Sequence, residues 1–91
     1  MKLEIKDNAK EKLKEYNDKD IPLRLIISGL SWCGPTFSIV SEKHDSDDEF
    51  FDVDGIKISV SRDVYNILEK ATIEYSNRFL RKGFIVLPVP K

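Results

Sequence analysis

Asp54-Gly55 restricts this chain more than any other pair of residues. It stands between two runs of mixed apolar and polar residues, Phe50-Phe51-Asp52-Val53 and Ile56-Lys57-Ile58-Ser59-Val60. A two-residue hairpin turn needs central residues that tolerate positive φ, which Asp accepts and Gly adopts freely. The two runs therefore predict antiparallel strands joined by that turn.

The remaining elements follow from periodicity. Leu3 and Ile5 alternate with Lys2, Glu4 and Lys6, the pattern of a half-buried strand. Asp7 offers a carboxylate to the free amides of a helix start, and Ala9, Leu13 and Tyr16 follow at helical spacing until the polar stop Asn17-Asp18-Lys19-Asp20. The helix shows one thin apolar face, suited to a lid on a sheet. Pro22 opens a second strand, Leu23 to Ser28, whose branched residues predict a central position. Gly29 to Pro35 breaks it, and an alternating strand resumes at Phe37 and Ile39, to about Glu42. After the hairpin, Ser61 is an N-cap for a second helix with Val64, Ile67, Leu68 and Ala71 inward. A short strand through Ile73 and Tyr75 and a last strand, Phe84 to Leu87, ended by Pro88 and Pro90, complete the chain. The order β-α-β-β-β-β-α-β-β predicts an α+β fold: a small, mixed, curved, barrel-like sheet with two short helices, forming one domain over residues 1–91.

Composition narrows the function classes. A chain of 91 residues has room for one modest core. Its formal net charge of -1, with Lys and Arg spread out, gives no global field toward nucleic acid or an anionic membrane. Apolar runs such as Leu25-Ile26-Ile27 are far too short to span a bilayer. The charged, alternating N-terminus is unlike a signal peptide, and the single cysteine cannot form an internal disulfide, so a reducing cytoplasm is expected.

One segment carries chemistry. Ser28-Gly29-Leu30-Ser31-Trp32-Cys33-Gly34-Pro35 gathers two glycines, a proline, the only cysteine and the only tryptophan. A thiol in such a loop can serve as a metal ligand or a redox nucleophile. It can equally be a small buried hydrophobe at a strand corner whose Trp fills the core, and composition alone favours that second reading. Elsewhere, the acids Glu42, Asp45, Asp47, Asp48 and Glu49 lack the spaced glycine and distal Glu of a calcium loop and are expected to be a solvated loop. His44, the only histidine, is expected to be exposed among them. Arg78, Arg81 and Lys82 form a small basic end. The four glycines are too scattered to cradle a phosphate.

Taken in order, several motifs resemble those of HesB-like proteins, the family of A-type iron–sulfur carriers. Leu23-Arg24-Leu25, the Gly/Ser-rich loop with its cysteine and the aromatic strand from Phe37 resemble the family's first motif. Phe50 to Ile58 resembles its central hairpin, and the helix around Tyr65 and Leu68, Ile73-Glu74-Tyr75 and Gly83-Phe84 follow in family order. The resemblance implies a compact mixed-sheet fold and a link to iron–sulfur cluster assembly, with Cys33 as the cofactor and metal ligand in a site loop of Gly29, Ser31, Trp32, Gly34 and Pro35.

Two departures from the family's pattern qualify what it implies. A-type carriers have a Cys-x-Cys pair shortly after the last strand, and the sequence through Lys91 contains none. An iron–sulfur cluster normally takes four ligands. Cys33 gives one and a symmetric homodimer two, leaving the rest to glutathione, water or another protein. Iron or a cluster is therefore expected to be held transiently, with assembly or recipient proteins as partners and no conventional catalytic turnover; the alternatives are a thiol- or selenium-linked redox protein using the Trp32-Cys33 loop, or a binding module of this fold that has lost cluster binding. Second, ungapped alignment puts the family's loop cysteine opposite Trp32. A small branch without the terminal pair, resembling this chain at Gly34-Pro35-Thr36-Phe37, includes members with selenocysteine there. Its codon, UGA, differs from the tryptophan codon by one base, so the codon at position 32 decides whether Trp32 replaces a selenocysteine.

Overall fold

The computed structural model describes residues 1–78 and 81–91, without the side chains of 78, 81 and 82; the expected basic end at Arg78, Arg81 and Lys82 lies outside what is described. The elements are β1 (Lys2–Ile5), α1 (Asp7–Asp18), β2 (Arg24–Ser31), β3 (Gly34–Val40), β4 (Glu49–Val53), β5 (Ile56–Val60), α2 (Arg62–Ile67), β6 (Leu68–Arg78) and β7 (Arg81–Pro90). The predicted order holds. So does the α+β class with mixed sheets and two short helices, but the strands are divided between two open sheets, β1-β6-β7 and β3-β2-β5-β4, rather than joined in one barrel-like sheet. Each sheet contains one parallel pair, β1 with β6 and β2 with β5, and is otherwise antiparallel.

The Asp54-Gly55 turn forms as predicted, with φ of 53° and 84°, and pairs Val53 with Ile56. The core joins the sheets. Leu25, Ile58 and Val60 come from one, Leu3, Ile5, Ala71 and Ile73 from the other, and Leu13 and Val64 from the helices. Helix α1 is fastened at both ends. The Tyr75 amide of β6 donates to Asn8 Oδ1 at 3.2 Å, and the Lys57 amide of β5 donates to Asn17 Oδ1 at 2.7 Å. The lid thus spans both sheets, and Tyr16 at its far end meets the Phe84 ring of β7 at 6.1 Å.

Four local expectations change. Lys6, without a side-chain bond, occupies the N-cap of α1, and Asp7 is already helical. Helix α2 keeps its Ser61 cap, with the Val64 amide donating to Ser61 Oγ at 3.4 Å, but ends at Ile67. Leu68 and Ala71, read as helical, belong to β6. A register shift between Leu68 and Lys70 inserts Glu69, so both bury although they are three residues apart. A bulge in a strand thereby copies the spacing of a helix face. Pro88 and Pro90 lie inside β7 opposite Ala71 and Leu68. They fit because β7 is an edge strand, where a missing amide can face away from the ladder.

The acidic loop is not simply solvated. Its Asp48 side chain is 1% exposed, and Arg24 grips it, donating from Nε to Oδ2 at 2.7 Å and from Nη2 to Oδ1 at 2.9 Å. Asp45 and Glu42 complete the cluster at 3.3 and 3.6 Å from the guanidinium. Asp48 also accepts the Asp45 amide at 3.1 Å. The bond from Arg24 holds the Asp48 carboxyl below its ordinary 3.8 and in turn raises the guanidinium's own affinity for its proton. Glu49 leaves the loop to begin β4 opposite Val60.

Candidate functional site

The segment expected to be a broad loop is a tight hairpin. Strands β2 and β3 run to its tip, pairing Ser31 with Gly34 and leaving only Trp32 and Cys33 in the turn. Gly34 has φ of 115°, a conformation side chains disfavour. Ser31 braces the turn from inside. Its hydroxyl donates to the Gly34 carbonyl at 2.9 Å and accepts the Cys33 amide at 3.3 Å. A register shift between Ile27 and Gly29 leaves Ser28 as the extra residue of a bulge. Across that bulge Ser38 Oγ donates to Ser28 Oγ at 2.9 Å, and Ser28 Oγ and Thr36 Oγ1 share a bond of 3.1 Å.

Neither tip residue is buried. Trp32 is fully exposed and so does not fill the core, and the Cys33 thiol is free and exposed. Both lie at the tip, beyond the last strand pair, Ser31 with Gly34. The reading of Cys33 as a small buried hydrophobe is thereby corrected. Beside the tip lies an apolar groove of ≈ 420 Å³ lined by Cys33, Pro35, Phe37, Ile67, Leu68, Pro88 and Pro90. Sequence reasoning missed this groove. Its walls come from the β2–β3 turn, β3, α2, β6 and β7, and only the packing of β3 against β7 brings Pro35 near Pro88.

Of the expected site residues, the structure gathers Cys33 and Pro35 at the groove, with Ser31 and Gly34 holding the turn and Gly29 lower in the ribbon opposite Thr36. His44 is exposed, meets Phe50 edge-on at 4.7 Å and lines no part of the groove. Among the described residues no three His, Cys, Asp or Glu side chains converge on a common metal position. No helix among them is long and apolar enough to cross a membrane. Chemically, the site offers one accessible sulfur ligand against an apolar wall, and among the described residues no second ligating side chain lines the groove.

Solved structures share this architecture. Escherichia coli SufA, involved in biosynthesis of iron–sulfur clusters, matches with a TM-score of 0.68 at 23% identity, covering 94% of this chain and 79% of SufA. IscA, solved with a 2Fe-2S cluster, matches with a TM-score of 0.70 at 13% identity, covering 94% of this chain and 81% of IscA. A protein from Aquifex aeolicus, solved by solution NMR, matches with a TM-score of 0.66 at 19% identity, covering 93% and 89%. Comparison with curated proteins gives no significant match. At these identities the structures establish the shared fold. A model of the family described as iron-sulphur cluster biosynthesis matches residues 1–85. That match runs from β1 into β7 and takes in both sheets and the Cys33 hairpin, so the chain belongs to the iron-sulphur cluster biosynthesis family.

Proposed function

We propose that this chain is a non-catalytic accessory in iron–sulfur cluster assembly that holds iron or a nascent cluster transiently through Cys33. The observation that carries the reading is the exposure of the Cys33 thiol at the tip of a braced hairpin, beside an apolar groove. A thiolate is the usual ligand of such clusters, and an apolar flank limits the approach of water to what is bound. One ligand against the usual four makes the holding transient. The missing ligands come from a second chain, from an assembly or recipient protein, or from a small thiol such as glutathione. That reading is supported by family membership and by the folds of SufA and IscA.

Anaerobic reconstitution with ferrous iron, sulfide and glutathione tests it. The wild-type protein is expected to develop thiolate-to-iron absorption in the visible range and to retain iron through a desalting column. Cys33→Ser is expected to lose both. Equal absorption and iron content in the two proteins would remove Cys33 from the account. The same exposure favours a second reading, a redox thiol at the hairpin tip. That reading requires rapid alkylation of Cys33 at neutral pH, and alkylation confined to alkaline pH would exclude it.

A further inference from the structure

Strand β6 has 11 residues and β1 only 4. Their parallel pairing ends at Ile73, so the rest of β6 has no strand on that side. Backbone polar groups of a strand point alternately to its two edges. The Ile73 carbonyl accepts the Lys6 amide at 2.9 Å and the Tyr75 amide donates to Asn8 Oδ1, so the odd-numbered residues of β6 face the β1 side. The Tyr75 carbonyl and both backbone groups of Asn77 therefore point to an open edge. A hollow of ≈ 460 Å³ follows this edge, with Asn8, Glu74, Asn77, Ile85 and Leu87 in its wall. Register sets Glu74 opposite Ile85, with Leu87 two positions along on the same face of the sheet. Glu74 is the one charged residue lining the hollow, and its carboxylate enters no ion pair among the described residues. Proline does not guard this edge, whereas Pro88 and Pro90 interrupt the outer edge of β7.

From this we infer that the open edge of β6 takes an extended segment of a partner protein, added to the sheet in line with β1, with a Lys or Arg side chain set against Glu74. Pairing with the Tyr75 and Asn77 backbone supplies affinity, and the side chains of the added strand supply selectivity. The partner's charge follows from the wall: a cation meets Glu74 as its counter-charge, and an acidic segment meets a like charge with nothing in the wall to offset it. The site is remote from the thiol. Leu68 lines the Cys33 groove, and β6 runs from there to Asn77, about 30 Å at about 3.3 Å per residue. A protein held at this edge leaves the Cys33 face uncovered. The inference needs neither iron nor Cys33, so its failure leaves the cluster-holding reading standing, and the reverse holds as well.

The probe is a dye-labelled, end-blocked peptide of alternating lysine and valine, titrated with the metal-free, reduced protein and read by fluorescence anisotropy. Saturable binding is expected, with slower solvent exchange of the Asn77 amide in the complex. Glu74→Lys is expected to weaken binding by about fivefold or more, and Cys33→Ser to leave it unchanged. A glutamate–valine peptide is expected not to bind. Two further peptides carry N-methyl groups on the lysine amides or on the valine amides. Because an added strand bonds to its neighbour through alternate residues, one of the two is expected to fail and the other to bind. Should Glu74→Lys fail to fold, the methylated peptides and the Asn77 amide still decide on the wild-type chain. Equal binding of both methylated peptides, unchanged exchange at Asn77, or equal binding of the glutamate–valine peptide would overturn the inference. So would loss of binding in Cys33→Ser, since that places the peptide at the other groove.

Discussion

At the scale of single residues, the pair Arg24–Asp48 governs how the acidic loop sits. Removing one partner of a desolvated ion pair leaves an uncompensated charge, and here Arg24 keeps only the more exposed Asp45 and Glu42. Asp48→Asn is therefore expected to destabilise the fold by about 2–4 kcal/mol at neutral pH, read from urea unfolding. The pH dependence has a definite sign. The Asp48 carboxyl lies below 3.8 in the folded protein, so the folded state binds its proton less readily than the unfolded chain does. The stabilisation is complete at neutral pH and is lost as pH falls below that value, through the lowered folded one. Wild-type stability should fall over that range more steeply than that of Asp48→Asn. Little of this was legible in the sequence. Asp48 is one of seven acids between residues 42 and 54, and nothing local marks it as the one that Arg24, 24 positions away, will bury. Cys33 could be singled out by its composition alone, but its exposure depends on the length of a turn that Gly29 and Pro35 make appear longer than it is.

At the scale of elements, the legible features are those in which a local rule and the tertiary structure agree. Asp54-Gly55 forms its turn because both residues accept positive φ, and Ser61 caps α2 because its hydroxyl reaches the Val64 amide. That cap is long, at 3.4 Å, and α2 has only six residues. Ser61→Ala should therefore cost about 0.5–1 kcal/mol, at the low end for a cap, measured as a shift in the denaturant midpoint with an unchanged slope. Features were misread where an irregularity counterfeits a period. The bulge at Glu69 gives Leu68 and Ala71 the three-residue spacing of a helix face, and the bulge at Ser28 lets β2 continue past a glycine that reads as a break. The prolines of β7 read as a strand end because a sequence does not show which strand lies at an edge.

For the whole molecule, two small sheets share one core, and α1 lies across both. Leu13 is fully buried at the centre of that lid. Leu13→Ala is expected to destabilise by about 2–5 kcal/mol, a large share of what a domain this size holds in total. The loss should be cooperative: amide exchange should rise together in β5 and β6, which lie in different sheets. Faster exchange in one sheet alone would mean that the lid does not couple them. The order of elements and the α+β class were legible because they rest on periodicity. The division into two sheets and the groove between β3 and β7 were not, because both depend on which distant strands pair. The fold is that of the iron-sulphur cluster biosynthesis family, and the 91 residues contain a single cysteine. The most direct test is native mass spectrometry of the anaerobically reconstituted protein under conditions that preserve labile iron. Iron or cluster mass on the wild-type chain, absent from Cys33→Ser prepared alongside it, is the predicted result; the same added mass on both would contradict the account.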